Sequence, residues 1–177
     1  EKLEISEKVV IHLSGAVDIQ VLSKHQNHGV IYPLQTFSYE GNSSFKEIPL
    51  LIEANNKKTF QKIDNLAKLF SNKIRRMNSK NRLICHLSGT IANNFSNHMI
   101  AVAEKILKSN NIDVELIRPL ILQTFEKLQV ISALDAQTGP AARNDKKTIN
   151  KHIQLLNESD FLHLYKEITK NIKSNEL

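Results

Sequence analysis

Cysteine is almost missing from this 177-residue chain. Cys85 stands alone, so no internal disulfide can form, and the composition suits a reducing compartment, with the cytoplasm as the default. Tryptophan is absent and the three Tyr are scattered. Proteins that grip single-stranded nucleic acid interleave aromatic rings with their basic residues. Here the net charge of +6 is spread thinly, densest at Lys73/Arg75/Arg76 with Lys80 and Arg82 and at Lys146/Lys147/Lys151. That surplus reads as a solvated surface suited to an anionic small molecule, not as a nucleic-acid interface. No apolar run reaches the roughly eighteen residues of a membrane span, and the opening EKLEISEKVV lacks the basic, apolar and small-residue order of a signal peptide. The Gly-x-Gly-x-x-Gly fingerprint, the P-loop, His-Glu-x-x-His and Gly-x-Ser-x-Gly are all absent, and the seven His are dispersed without a metal-ligand spacing. Those absences argue against a metal centre and against a nucleophilic hydrolase. Cys85, with no base beside it in sequence, reads as a buried and inert thiol.

What the chain does have is the material of a soluble globular protein, 41% hydrophobic and 24% charged, with enough length to bury a core. Its first eighty residues alternate strand and helix signals. VVIHL (Val9 to Leu13) is a β-branched run closed by Ser14-Gly15; VDIQVLSK is a short helical segment; VIY is cut off by Pro33. IPLLIEA, Ile48 to Ala54, is a continuous apolar run of the kind found in buried parallel sheets. KTFQKIDNLAKLF presents Phe60, Ile63, Ala67 and Phe70 at helical spacing, and KIRRMN reads as a short last strand. After Asn81 only helical stretches remain, over about 83–108, 117–131, 140–157 and 161–173. The pattern predicts an α/β layer on a parallel sheet for residues 1–80 and an all-helical part for 81–177. The tetrapeptide HLSG occurs at His12–Gly15 and again at His86–Gly89, but with unlike flanks, so it reads as coincidence.

Four places could carry chemistry. Ser14-Gly15 closes the first strand, where the carboxyl edge of an α/β sheet meets its ligands, although a plain turn would look the same; His12, inside the strand, reads as a core residue. Gln35 and Thr36, in YPLQTF, fall on a loop at the same edge and suit a polar substrate or a nicotinamide amide. The third is CHLSGTIANNFSNHM, Cys85 to Met99, which lies inside a 21-residue window from Leu83 to Ala103 without one Lys, Arg, Asp or Glu. At 100° per residue, with His86 at zero, Thr90 falls near about 40°, Asn93 near about −20° and Asn97 near about 20°, with Asn94 at the margin near about 80°. His98 lies toward the apolar side. A solvent-facing stripe would favour Lys and Glu, so a stripe of His, Thr and Asn is either a wall facing substrate or a seam between subunits. The fourth is AQTGPAARND, where Gly139-Pro140 resembles a helix start with Thr138 or Gly139 as cap, and Arg143 could hold a carboxylate or phosphate.

HLSGA, GVIYPLQTF, HLSGTIANNFSNHM, PLILQTFEKL and TGPAARNDKKTINKH, in that order, resemble the bacterial Rossmann-like oxidoreductases whose helical part is called domain of unknown function 2520. The resemblance runs over nearly the whole chain. It implies a layout similar to pyrroline-5-carboxylate reductase, ketopantoate reductase and 6-phosphogluconate dehydrogenase: a nucleotide-binding α/β domain, a helical homodimerisation domain, and an active site in the cleft between them. It implies NADP or NAD as cofactor and a small polar acid or imine as substrate. Relative to that pattern the chain starts at the second half of the Rossmann domain, without the strand, Gly-rich turn and helix that hold a pyrophosphate, so the expectation is weak dinucleotide binding or none. Ser14 and Gly15 would be the turn on the substrate or nicotinamide side; Asn93, Asn94 and Asn97 would orient substrate; Thr138, Gly139 and Arg143 would take its acidic group. Related dehydrogenases place a Lys on the long helix as general acid. None is present here, which passes the proton role to His86 or His98. The alternative is a ligand-binding or dimerising module that kept the fold without the chemistry.

Overall fold

Four strands form one sheet in the order β1 (Val10–His12), β2 (His28–Pro33), β3 (Leu50–Ala54) and β4 (Ile74–Arg76). The computed structural model describes residues 8–37 and 44–174. β1 runs parallel to β2, with Val10 opposite His28, and β3 runs parallel to β4, with Leu50 opposite Ile74. The middle pairing departs from the parallel sheet expected: β2 and β3 are antiparallel, with Gly29 opposite Ala54 and Pro33 opposite Leu50. A continuous apolar run reports burial on both faces and says nothing of strand direction. Direction is set by the connections. A parallel step needs a crossover of a dozen residues or more, which helix α1 (Lys57–Phe70) provides between β3 and β4. Between β2 and β3 the described residues hold a 3-10 turn at Phe45–Glu47, and the Leu34 N–H donates to the Pro49 carbonyl at 2.9 Å, so the chain comes back beside its own strand.

Burial of α1 against the sheet makes the core of this part. Asn56 caps the helix, its side chain accepting the Thr59 N–H at 2.8 Å. Thr59, Ile63 and Ala67 then lie on the buried face at intervals of four. Ile63 and Ala67 join Ile31, Ile48, Leu50 and Ile52 in one cluster. The expected face is therefore rotated slightly: Thr59 is inside, bonded to Asn27 at 3.1 Å, and Phe70 is exposed. Gly29 makes the close approach possible, because a Cβ there would fall on the Glu53 carbonyl oxygen and on Ile63 Cδ1.

Beyond β4 every described element is helical. α2 (Ser79–Gly89) passes into a π-helical segment, Thr90–Phe95, and then into α3 (Ser96–Ser109). It starts earlier than the periodicity suggested because Asn78 caps it through the Asn81 N–H at 2.8 Å. The helices α4 (Arg118–Lys127), α5 (Lys146–Leu155) and α6 (Leu162–Ser174) follow. The expected helix start at Gly139-Pro140 is not there. Residues 139–144 are turns, with Gly139 at φ 101° and Asn144 at φ 52°, and α5 begins only at Lys146. Its cap is Asp145, whose carboxylate accepts the Thr148 N–H at 3.0 Å and the Thr148 hydroxyl at 2.7 Å. A Pro after a Gly fits a turn as well as a first helical residue; the tighter Asp-x-x-Thr cap decided between them. By contacts the chain divides into two units, Glu1–Asn97 and His98–Leu177. No helix among the described residues is long and apolar enough to cross a membrane.

Candidate functional site

Within the first unit a cleft of about 320 Å³ opens between the end of β2 and the face of α2 and the π segment. Tyr32, Leu34, Gln35 and Thr36 line one side; His86, Gly89, Thr90, Asn93 and Asn94 line the other. No Lys, Arg, Asp or Glu is among them. Pro33 ends the strand, which swings Leu34, Gln35 and Thr36 away from the sheet toward the helix; Asn93 Nδ2 then donates to Thr36 Oγ1 at 2.7 Å. On the helix side the Thr90 hydroxyl donates to the His86 carbonyl at 3.0 Å. Such back-bonding competes with the backbone ladder, and it falls where the helix widens into its π segment.

The widening changes the geometry that the sequence implied. Each π-helical residue advances by roughly 85° instead of 100°. Over Thr90–Phe95 this lag carries Asn94 from the margin of the stripe toward His86 and Thr90, while Asn97 lies a further turn along the helix. The cleft accordingly includes Asn94, while Asn97 is exposed and outside its lining. π segments recur at functional sites, and this one sits on the wall of the cleft.

Tyr32 was passed over in the sequence, although a phenol just before a strand-ending Pro is a signal of a polar group at a sheet edge. Its hydroxyl lies 3.1 Å from His86 Nδ1, with the two rings edge to face at 5.9 Å between centroids. Burial pushes the Tyr32 pKa up, so the phenol is neutral. Gly15 packs against this pair: a Cβ there would sit 2.7 Å from Tyr32 Cζ and 2.9 Å from His86 Nδ1. Ser14 does something else. Its hydroxyl accepts the N–H groups of Ala16 and Val17, both at 3.2 Å, and its own N–H donates to His12 Nδ1 at 3.2 Å.

A second group missed in the sequence lies behind the cleft. Arg82, from the loose basic cluster, has a fully buried side chain paired with the Glu53 carboxylate. It also donates to the Val17 carbonyl at 2.6 Å and to Ser79 Oγ at 3.1 Å. Ser79 Oγ and N–H donate to Glu53 at 2.8 and 3.0 Å, and Ser79 Oγ accepts the Ile19 N–H at 3.0 Å. Strand β3, the first turn of α2 and the chain after Gly15 are thus tied at one point. Glu53, the single acid in an apolar run, was the available hint, since an acid there requires a buried partner.

Of the residues proposed for an acidic group, Thr138 lies on a separate apolar groove of the second unit, with Met99, Val102, His152, Phe161 and Tyr165. Gly139 is the positive-φ turn described above, and Arg143 is exposed. Cys85 is half-buried, its thiol 3.5 Å from Met77 Sδ. Among the described residues no three His, Cys, Asp or Glu are grouped for a metal ion.

The family model for the domain of unknown function DUF2520 matches residues 48–172. The chain belongs to this family. Among solved structures it is similar to a Bacteroides fragilis protein described as a "putative NADP oxidoreductase", at 32% identity and a TM-score of 0.91, over 96% of this chain and 66% of that one. A Thermotoga maritima protein shares the fold at 20% identity and a TM-score of 0.80, over 94% of this chain and 68% of that one. This DUF2520 chain therefore spans about two thirds of the length of the solved structures it matches. No functionally curated protein matches it. The fold is the partial Rossmann-like α/β layer followed by helices that the sequence implied, with the one antiparallel pairing noted above.

Proposed function

We propose that the chain is the substrate-side part of an NAD(P)-linked reductase acting on a small polar acid or imine. His86 is its proton donor, and Gln35, Thr36, Asn93 and Asn94 are the groups that hold the reacting end. The observation that carries this is the uncharged cleft, in which one imidazole stands among neutral amides and hydroxyls; the Bacteroides relative's description supports the choice of reaction class. These side chains fit the carboxamide end of a nicotinamide, which pairs donors with acceptors and carries no charge. The sequence holds no Gly-rich turn for a pyrophosphate, so the residues present account for one end of the cofactor only. When bound, that cofactor supplies the hydride; the chain's own contribution is to orient the acceptor and to supply a proton from His86. Layout similar to pyrroline-5-carboxylate reductase and 6-phosphogluconate dehydrogenase, and a homodimer formed through the helical part, belong to the same proposal.

Nicotinamide and NADPH, titrated separately against the chain and followed by NMR, test it. Nicotinamide should perturb Gln35, Thr36, Asn93 and Asn94, and Asn93→Ala should weaken it several-fold. Turnover of NADPH with keto acids and cyclic imines would establish the reaction. A second reading, a binding or dimerising module without catalysis, is favoured by the absence of any Lys from Leu83 to Ala103. NADPH bound without turnover of any acid or imine would select it.

A further inference from the structure

His86 is the one imidazole lining the cleft, and its two ring nitrogens have different surroundings. Nδ1 faces Tyr32 Oη at 3.1 Å. The same side is closed by Gly15, whose missing Cβ leaves the space that the Tyr32–His86 pair occupies. Nε2 has no protein partner among the described residues, and it is not among the buried polar atoms that lack one. The ring is half-buried and lines the cleft, with Nε2 as the nitrogen that Tyr32 does not engage. A neutral phenol oxygen can accept the Nδ1–H in both charge states, so the neutral ring keeps its proton on Nδ1 and Nε2 is the nitrogen that loses and regains one. A carboxylate in that place would bind the charged form far more strongly.

We infer that Tyr32, seated by Gly15, is a positioning residue that anchors His86 through Nδ1 in both protonation states and keeps Nε2 as the exchanging nitrogen. The inference rests on the reading of His86 as proton donor, but it concerns the ligand-free protein. Gly15 acquires a role other than ligand approach: it sets the distance between the turn after β1 and the pair.

The test is long-range proton–nitrogen NMR of the full chain with nitrogen-15 in its His side chains, across the neutral pH range. In the unmodified protein His86 Nδ1 should show a hydrogen-bonded shift and Nε2 a solvent-exposed one; equal shifts, or the reverse pattern, would overturn the inference. Tyr32→Phe should move the Nδ1 and Nε2 resonances of His86 in opposite directions, as the neutral ring shifts toward the Nε2–H tautomer, whereas a general loosening of the fold would shift the other His rings with them. Gly15→Ala should produce the same change at His86 by forcing the rings apart. An unmoved Nδ1 in both variants would also sink it. The unmodified-protein measurement stands even if a variant fails to fold. NADPH that never binds would remove the oxidoreductase reading and leave this pairing intact, so the two failures are separable.

Discussion

Arg82 and Glu53 hold the first unit together at a point where a basic cluster on the surface was expected. The guanidinium is fully buried, while the carboxylate keeps a small exposure. Arg82→Met would leave Glu53 to Ser79 alone, and removing one partner of a buried pair costs about 3–5 kcal/mol; urea unfolding should show a loss of that size, and one below about 1 kcal/mol would contradict the burial. His12 offers a test by pH. Burial first, and the charge of Arg82 second, hold its pKa below the ordinary 6.5. Above pH 6.5 it is neutral whether folded or not, and stability is complete. As pH falls below that, the unfolded chain takes the proton before the folded one does, so stability declines until the folded value is passed. His12→Gln should flatten this decline in urea midpoints taken on either side of pH 6.5. The apolar run around Glu53 hints at a buried partner but does not name it. Glu53 and Arg82 are far apart in sequence, and only the packing of α2 beside β3 brings them together.

The π segment is the element that decides what faces the cleft. Strict α-helical spacing groups His86, Thr90 and Asn93, which line one cleft, but it sets Asn97 with them and Asn94 at the margin, whereas the cleft includes Asn94 and not Asn97. The reason is physical: the residue types that make a polar wall (Thr, Asn and a preceding Gly) are poor helix formers, and the same weakness lets the turn widen. Deleting Ala92 should restore α-helical register through the segment. Far-UV circular dichroism should then stay nearly constant, while the nicotinamide-induced shifts at Asn93 and Asn94 disappear because both are rotated relative to His86. Retained shifts would show that the π segment does not set the wall.

At the scale of the molecule, α4 is the unfinished part. It buries none of its residues, and Leu120 and Leu122 are each 63% exposed, with Phe125 also open to solvent. Leu122 and Phe125, three residues apart, share one helix face, and exposed apolar side chains so placed mark an interaction site that the proposed homodimer would cover. Leu122→Lys combined with Phe125→Lys should move the chain to monomer in sedimentation while leaving its helix content in place. An unchanged sedimentation coefficient would argue against α4 as the seam.

The order of elements, the α/β layer followed by helices, and the uncharged stretch from Leu83 to Ala103 were all determined by the sequence alone, because apolar periodicity and residue type are local properties. Strand direction between β2 and β3, the late start of α5 at Lys146, capped by Asp145, the inclusion of Asn94 and the union of Tyr32, Gly15 and His86 were decided by tertiary structure. Each depends on which segments close on one another: a connection that returns beside its own strand, a cap that outcompetes a Pro turn, a widened helical turn, and a glycine whose missing side chain leaves room for a phenol to reach an imidazole.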